Sequence, residues 1–346
     1  VISLRSAATT LACRAGETLN RTFVLPLVFF SPTSRCNSRC VSCDWWKSDG
    51  AGDLTLPEVR LVAAALQALS VRLVVFTGGE PLVRREVFEM ARAFRARGAR
   101  LWLLTSGLQL ARFAEEIARE FARVTISLDG ATRETYRRVR GVDALELVAE
   151  GVARLRSIAP AVPITARCTI HRQNHRELER IVRKAREIGV DRVSFLAADL
   201  SSSAFNRTGA APHAADLALD EAERAELRQL IDVAAADLAG EFATRFVEQP
   251  PERLRRIADY YDALAGAAPF PPVRCNAPWV SLAIEANGDV RPCFFHAPIG
   301  NVRDTPIARL VAHELRAFRA RLDVSTNPTC QRCVCSLKVG LRTAPW

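Results

Sequence analysis

The chain has 346 residues, 49% hydrophobic and 25% charged, the balance of a globular protein long enough to bury a core without disulfide staples. The formal charge is +10, from 48 basic and 38 acidic residues, and no apolar run approaches the ~20 residues that span a bilayer. A disordered, collagen-like or membrane-spanning chain is excluded. The basic side chains are nearly all arginines that alternate with Glu and Ala, as over 84–100, 176–186 and 316–321. That pattern reads as solvated helix surface, not as the aromatic-interleaved stripe of a nucleic-acid binder.

The first strong apolar stretch, Phe23–Phe30, is broken by Pro26 and lacks the basic flank and cleavage site of a secretory signal. From there strand-like runs alternate with amphipathic ones. Strands are predicted near 24–31, 72–77, 100–105, 123–128, 163–170 and 192–197, and helices near 55–69, 84–97, 108–121, 143–157 and 176–188. Repeated βα units predict a parallel sheet, and right-handed crossovers curl six of them into a partial barrel. Residues 201–222 are loop-like and lead into a helix at about 220–240. The segment 266–275, with Gly266, Pro269, Pro271 and Pro272, reads as a linker. Asn287-Gly288 between two apolar runs signals a β-hairpin, and a further helix falls at about 305–322. The expected fold class is α/β, a partial (β/α)6 TIM-like barrel with a small C-terminal domain containing the hairpin. The expected divisions are an N-terminal extension at 1–22, the barrel core at 23–200, a helical and loop connection at 201–272 and the C-terminal domain at 273–346.

There are ten cysteines, and their clustering is not that of a disulfide scaffold. Cys36, Cys40 and Cys43 sit on one loop after the first strand. Three thiolates converging from such a loop can hold three irons of a cubane cluster and leave the fourth open to chemistry. A three-cysteine zinc site completed by a distant histidine is the alternative. Cys275 and Cys293 lie at opposite ends of the hairpin, which brings them together, and Cys330 and Cys333 follow from a loop after the last helix. A four-cysteine structural zinc site is the alternative there. Cys13 and Cys168 are isolated; Cys168 reads as a small buried side chain. His171, His175, His213, His296 and His313 form no metal-binding grouping, although His296 is placed to border the second cysteine set. In α/β folds the site lies at the carboxyl ends of the strands. The Cys loop, Gly78–Pro81, Thr105-Ser106-Gly107 and Ser127-Leu128-Asp129-Gly130 all fall there.

The spacing C-x3-C-x2-C, followed by Gly78-Gly79-Glu80-Pro81 after the second strand, resembles the radical SAM superfamily. The resemblance implies that Gly78, Gly79, Glu80 and Pro81 meet the methionine amino group of S-adenosylmethionine. It also implies that Ser127 contacts the ribose and Arg167 the carboxylate, with Thr105 and Ser106 as further cofactor contacts. One departure is Ser42, where the family often has an aromatic residue; Trp45 and Trp46 follow instead. Cys275-x12-Gly288-x4-Cys293, then Cys330-x2-Cys333, resembles the SPASM and Twitch auxiliary iron–sulfur domains. The chain lacks the further cysteine pair of the longer type. This implies one auxiliary cluster on Cys275, Cys293, Cys330 and Cys333, with Cys335 spare or substituting for one of the last two.

The cofactors implied are S-adenosylmethionine and two 4Fe-4S clusters, one binding the cofactor and one auxiliary. The family's chemistry is reductive cleavage to a 5′-deoxyadenosyl radical, which abstracts a substrate hydrogen. With the auxiliary cluster as electron acceptor, the expected reaction is oxidation or cross-linking of a small-molecule natural-product intermediate. The stretch before Cys36 is too short for a peptide-recognition domain, which tilts the expectation that way. The alternative is a maturase acting on a ribosomally made peptide or a protein residue. A non-catalytic electron carrier is disfavoured by the Gly-Gly-Glu-Pro segment. No acid–base residue is singled out. A flavodoxin- or ferredoxin-type donor and a reducing cytoplasm are implied by the resemblance, and neither membrane nor nucleic acid is expected as a partner.

Overall fold

The computed structural model describes residues 4–205, 214–341 and 343–345. The part of the expected 201–222 loop at 206–213, with His213, lies outside the described residues. Six strands alternating with helices make up the larger part. They comprise β1 (Leu27–Phe30), α2 (Leu56–Ala68), β2 (Leu73–Phe76), α3 (Val87–Arg95), β3 (Arg100–Thr105), α4 (Ala114–Glu120) and β4 (Arg123–Ser127). After β4 come α5 (Arg133–Arg140), α6 (Leu145–Ile158), β5 (Ile164–Ile170), α7 (Leu178–Glu187) and β6 (Arg192–Ala197). A helix α1 (Leu4–Leu19) precedes them. The connection holds α8 (Ala214–Leu217), α9 (Glu221–Asp237), α10 (Ala239–Ala243) and α11 (Pro251–Leu264). The C-terminal part holds α12 (Ala277–Val280), β7 (Ser281–Ile284), β8 (Asp289–Arg291), β9 (Gly300–Asn301), α13 (Ile307–Arg309), α14 (Leu315–Ala320) and α15 (Pro328–Gln331). A π-helical turn at Leu310–Glu314 joins α13 to α14, so the helix expected near 305–322 is one rod with a widened middle.

Among the described residues the strands form one sheet in the order β6-β5-β4-β3-β2-β1-β7-β8-β9. β1 to β6 pair in parallel, as the βα alternation predicts. The hairpin β7–β8 forms around Asn287-Gly288. Its first strand also pairs in parallel with β1, so the C-terminal hairpin extends the barrel sheet instead of standing apart. Nothing local in the sequence encodes that pairing.

Parallel strands covered on both faces read as continuous apolar runs. Val28, Phe30, Val74, Phe76, Leu101, Leu103, Val124 and Ile126 are all buried in the layer under the helices. There Phe30, Phe76 and Phe94 pack edge-on or tilted at 5.1–5.8 Å. The opposite face is divided. On β1 to β3 it is apolar, with Leu27, Leu73 and Val75 packed by Phe29, Trp102, Leu104 and Leu337. On β4 to β6 it is polar: Thr125 and Thr165 hydroxyls are 2.9 Å apart, and Arg167 Nε donates to Ser194 at 3.4 Å. A capping box of Thr55 and Glu58 starts α2, and one of Asp220 and Glu223 starts α9.

Within the segment expected as an extension at 1–22, Leu4–Leu19 form α1. Its Cys13 is buried with Val280 and Val339 at the seam with α12 and the C-terminal tail. Cys168 is fully buried in β5, as expected of a small apolar side chain. No helix among the described residues is long and apolar enough to cross a membrane.

Candidate functional site

The loop carrying Cys36, Cys40 and Cys43 leaves the carboxyl end of β1 and is sewn to its neighbours through backbone. Gly79 N donates to Thr33 O at 3.2 Å and Glu80 N to Arg35 O at 2.8 Å. A β-carbon on Gly79 would stand 2.0 Å from the Arg35 carbonyl oxygen. Gly78, at φ 105°, faces the Ser31 side chain. The close approach these glycines allow is therefore to the cysteine loop itself. Farther along, Arg39 N and Val41 N donate to Arg140 O and Val139 O at 2.9 and 3.0 Å. The end of α5 thus holds the loop's other side, with Gly141 at φ 68° closing the helix.

Glu80 is buried and braces the strand ends. Its carboxylate accepts from Thr105 Oγ1 at 2.7 Å, Ser106 N at 2.6 Å and Leu82 N at 3.1 Å. Burial raises its pKa while these bonds oppose the rise. Ser106 Oγ reaches Asn37 Oδ1 at 3.1 Å, tying the end of β3 to the cysteine loop. Pro81 opens the short turn that follows. Ser127 and Arg167 are register partners on β4 and β5, side by side on the polar lumen wall.

Two supports, Asp53 and Arg140, escape a reading of the sequence. Asp53 is buried and accepts from Thr33 Oγ1 at 2.5 Å and Ser34 Oγ at 2.7 Å, holding the loop's entry. Arg140 and Asp129 form an ion pair at 3.1 Å with side chains only 11% and 7% exposed. Asp129 also accepts from Thr169 N at 2.7 Å; the cap of α5 is Thr132. Burial opposes the charge on Arg140, but Cys40 and Asp129 facing it hold its pKa above the ordinary value. The pattern of glycine after a helix turn at 141 is the one signal for this contact.

The second cysteine set also assembles. Cys275 and Cys293 act on Cys330 and Cys333 through space, and Cys335 acts on Cys333. His296 is buried, with Nε2 3.3 Å from Cys330 Sγ and its ring 4.9 Å from Phe318. Trp45 is buried and donates from Nε1 to Ala204 O at 2.9 Å. Trp46 is exposed beside Arg39 and Lys47, in a cleft of about 570 Å³ that Cys36 and Asn37 also line. The two cysteine sets are linked by a seam: Asp44 N donates to Phe205 O at 2.9 Å, and the Phe205 ring lies 5.5 Å from Phe294, next to Cys293.

The donors fit iron–sulfur groups. All ten cysteines are free thiols. Burial pushes Cys36 and Cys293 up to about 11 and Cys330 to about 12, and it also raises Cys40, Cys43 and Cys333. Such thiols ionise when a metal supplies the missing positive charge. Backbone amides already point at the sulfurs: Ser38 N at Cys36 and Ala277 N at Cys275, both at 3.4 Å. Among the described residues no three His, Cys, Asp or Glu side chains converge tightly enough for a single metal ion. A cluster asks for a wider set, because each thiolate binds its own iron.

A family model for the radical SAM superfamily matches residues 30–185, and one for an iron–sulfur cluster-binding domain, SPASM, matches residues 275–334. The GTP 3′,8-cyclase of Rhodopseudomonas palustris is 37% identical over 169 residues, 46% of this chain and 49% of its own. A probable GTP 3′,8-cyclase of Saccharolobus islandicus is 28% identical over 167 residues, 47% of this chain and 54% of its own. The chain thus spans about half the length of the curated relatives it matches. Streptococcus suis SuiB bound to S-adenosylmethionine superposes with a TM-score of 0.62 at 15% identity, over 94% of this chain and 75% of that one. The enzyme anSMEcpe with AdoMet and the Cp18Cys peptide superposes with a TM-score of 0.61 at 19% identity, over 89% and 88%. At these identities the likeness is one of fold. Residues 30–185 thus belong to the radical SAM superfamily, and residues 275–334 form a C-terminal SPASM iron–sulfur cluster-binding domain.

Proposed function

We propose that this enzyme oxidises a residue of a peptide or protein substrate. In this reading Cys36, Cys40 and Cys43 hold the cluster that binds S-adenosylmethionine, and Cys275, Cys293, Cys330 and Cys333 hold an auxiliary, electron-accepting one. The carrying observation is the juxtaposition of two non-disulfide cysteine sets, half-buried apart from the buried Cys330, across the Phe205–Phe294 seam. Bound, the first cluster and S-adenosylmethionine supply a 5′-deoxyadenosyl radical, and the hard chemistry is the cofactor's.

The chain's own residues position and exclude. Gly78 and Gly79 hold the cysteine loop and offer backbone carbonyls to the cofactor's ammonium, and Glu80 fixes that segment through Thr105 and Ser106. Ser127 and Arg167 on the polar wall receive the ribose and the carboxylate. Phe205, Phe294 and Phe295 pack at 5.5–6.4 Å and keep water from the space beside both cysteine sets. The electron donor in this reading is a flavodoxin or ferredoxin.

Two peptide-bound structures share the fold over most of this chain. They are SuiB with its precursor peptide SuiA, at a TM-score of 0.61, and anSMEcpe with Cp18Cys. That favours a peptide over the small molecule expected from the sequence. The second reading, a small-molecule substrate, is favoured by the GTP 3′,8-cyclases matched over the barrel half. The test is anaerobic turnover with S-adenosylmethionine and dithionite, following 5′-deoxyadenosine. Peptide pools are expected to raise its yield and to lose two hydrogens by mass; a rise with GTP or aminosugars alone would contradict the proposal.

A further inference from the structure

At the second cysteine set, three sulfurs meet backbone amides. Ala277 N points at Cys275 at 3.4 Å, the amides of Phe295 and His296 point at Cys293, and that of Cys335 points at Cys333. Cys330 instead meets a side chain, His296, with Nε2 at 3.3 Å from Sγ. The imidazole is held there. Its ring lies edge-on to Phe318 at 4.9 Å. Its backbone carbonyl accepts from Arg291 Nη1 at 2.7 Å, and Arg291 in turn pairs with buried Glu285 at 2.6 Å. Both charges belong to the β7–β8 hairpin, so the hairpin that brings Cys275 to Cys293 also aims the histidine.

We infer that His296 donates an Nε2–H hydrogen bond to the Cys330 sulfur and thereby sets the reduction potential of the auxiliary centre. The inference rests on the two-cluster reading above. A metal-bound thiolate only accepts hydrogen bonds, so the ring nitrogen facing it carries the proton. A hydrogen bond to a ligating sulfur withdraws charge from it and favours the reduced centre. Backbone donors stay when side chains change; this donor is the one that sequence can adjust. His296 is a positioning residue, acting through Cys330 and not ligating iron.

The test uses the full chain carrying Cys36→Ala, Cys40→Ala and Cys43→Ala, reconstituted anaerobically so that only the second centre loads. Iron per chain and an EPR-monitored redox titration are compared for His296, His296→Leu and His296→Gln, with circular dichroism to confirm folding. His296→Leu is expected to lower the midpoint, so that the oxidised-to-reduced ratio at the parent's midpoint rises about tenfold, ~59 mV for one electron. His296→Gln keeps an N–H donor and is expected to recover most of the shift. If His296→Leu does not fold, Phe318→Leu, which leaves the imidazole but frees its ring, carries the test with a smaller shift in the same direction. Unchanged potentials at full iron content overturn the inference while leaving the cluster intact. Loss of iron in His296→Leu alone overturns it in favour of an assembly role, and nitrogen hyperfine coupling in the parent does so in favour of ligation. A parent without iron overturns both this inference and the auxiliary cluster.

Discussion

A β-carbon on Gly79 would meet the Arg35 carbonyl oxygen at 2.0 Å, and that oxygen already accepts from Glu80 N. Backbone cannot yield as a flexible side chain does. Gly79→Ala is therefore expected to displace the loop of Cys36 and cut iron retention at the first site. Gly240→Ala, with nothing within 4 Å of its β-carbon, should keep the iron and match or slightly exceed wild-type stability. Iron content and thermal melts of the two variants check this. Asp129 and Arg140 belong to the same shell. Asp129→Asn strands a buried guanidinium beside Cys40 and is expected to cost about 3 kcal/mol, measured by urea unfolding; a change under about 0.5 kcal/mol would show the pair to be solvated. The motif glycines and cysteines were readable because their types and spacing are local. Asp53 and Arg140 were not, since each acts on a loop outside its own element; His296 was readable as a neighbour of the second cysteine set from its place after Cys293, but its contact with Cys330, 34 residues on, was not.

The strands and most helices were legible for a physical reason. Val74, Phe76, Leu101 and Leu103 are buried beneath helices, so apolar runs mark them. Phe76, packed against Phe30, Phe94 and Phe121 at 5.3–5.8 Å, carries that layer. Phe76→Ala is expected to cost about 3–5 kcal/mol by chemical denaturation. The longer helices missed were α1, α5 and α11. α1 has no acidic residue in its first turn and no basic one in its last. α5 is eight residues long and mostly charged, and only Thr132 and Gly141 at its ends announce it. α2 shows a pH-sensitive tie: Glu58 completes its capping box and pairs with Arg303 at 2.6 Å. The hydrogen bond from Arg303 lowers the Glu58 pKa to about 2. A carboxylate depressed in the folded state stabilises fully above its unfolded value, ~4.3. That contribution is lost as pH falls through about 2. Wild type is expected to lose its stability advantage over Glu58→Gln across that window, and at exposed positions the effect is small. Parallel stability curves for the two proteins across that window would contradict the assignment.

At the scale of the whole molecule, one sheet joins two cysteine-bearing halves, because β7 pairs with β1. The sequence announced the hairpin and the barrel separately; their junction is a long-range backbone pairing that no local pattern encodes. The lumen is apolar on β1 to β3 and polar on β4 to β6, which suits a cofactor with both apolar and charged parts. The central claim is that both cysteine sets hold clusters. The most direct measurement is iron and sulfide content after anaerobic reconstitution, for wild type and for Cys36→Ala/Cys40→Ala/Cys43→Ala. The account predicts about eight irons per chain falling to about four. About four falling to none, with zinc bound at the second set, would contradict it.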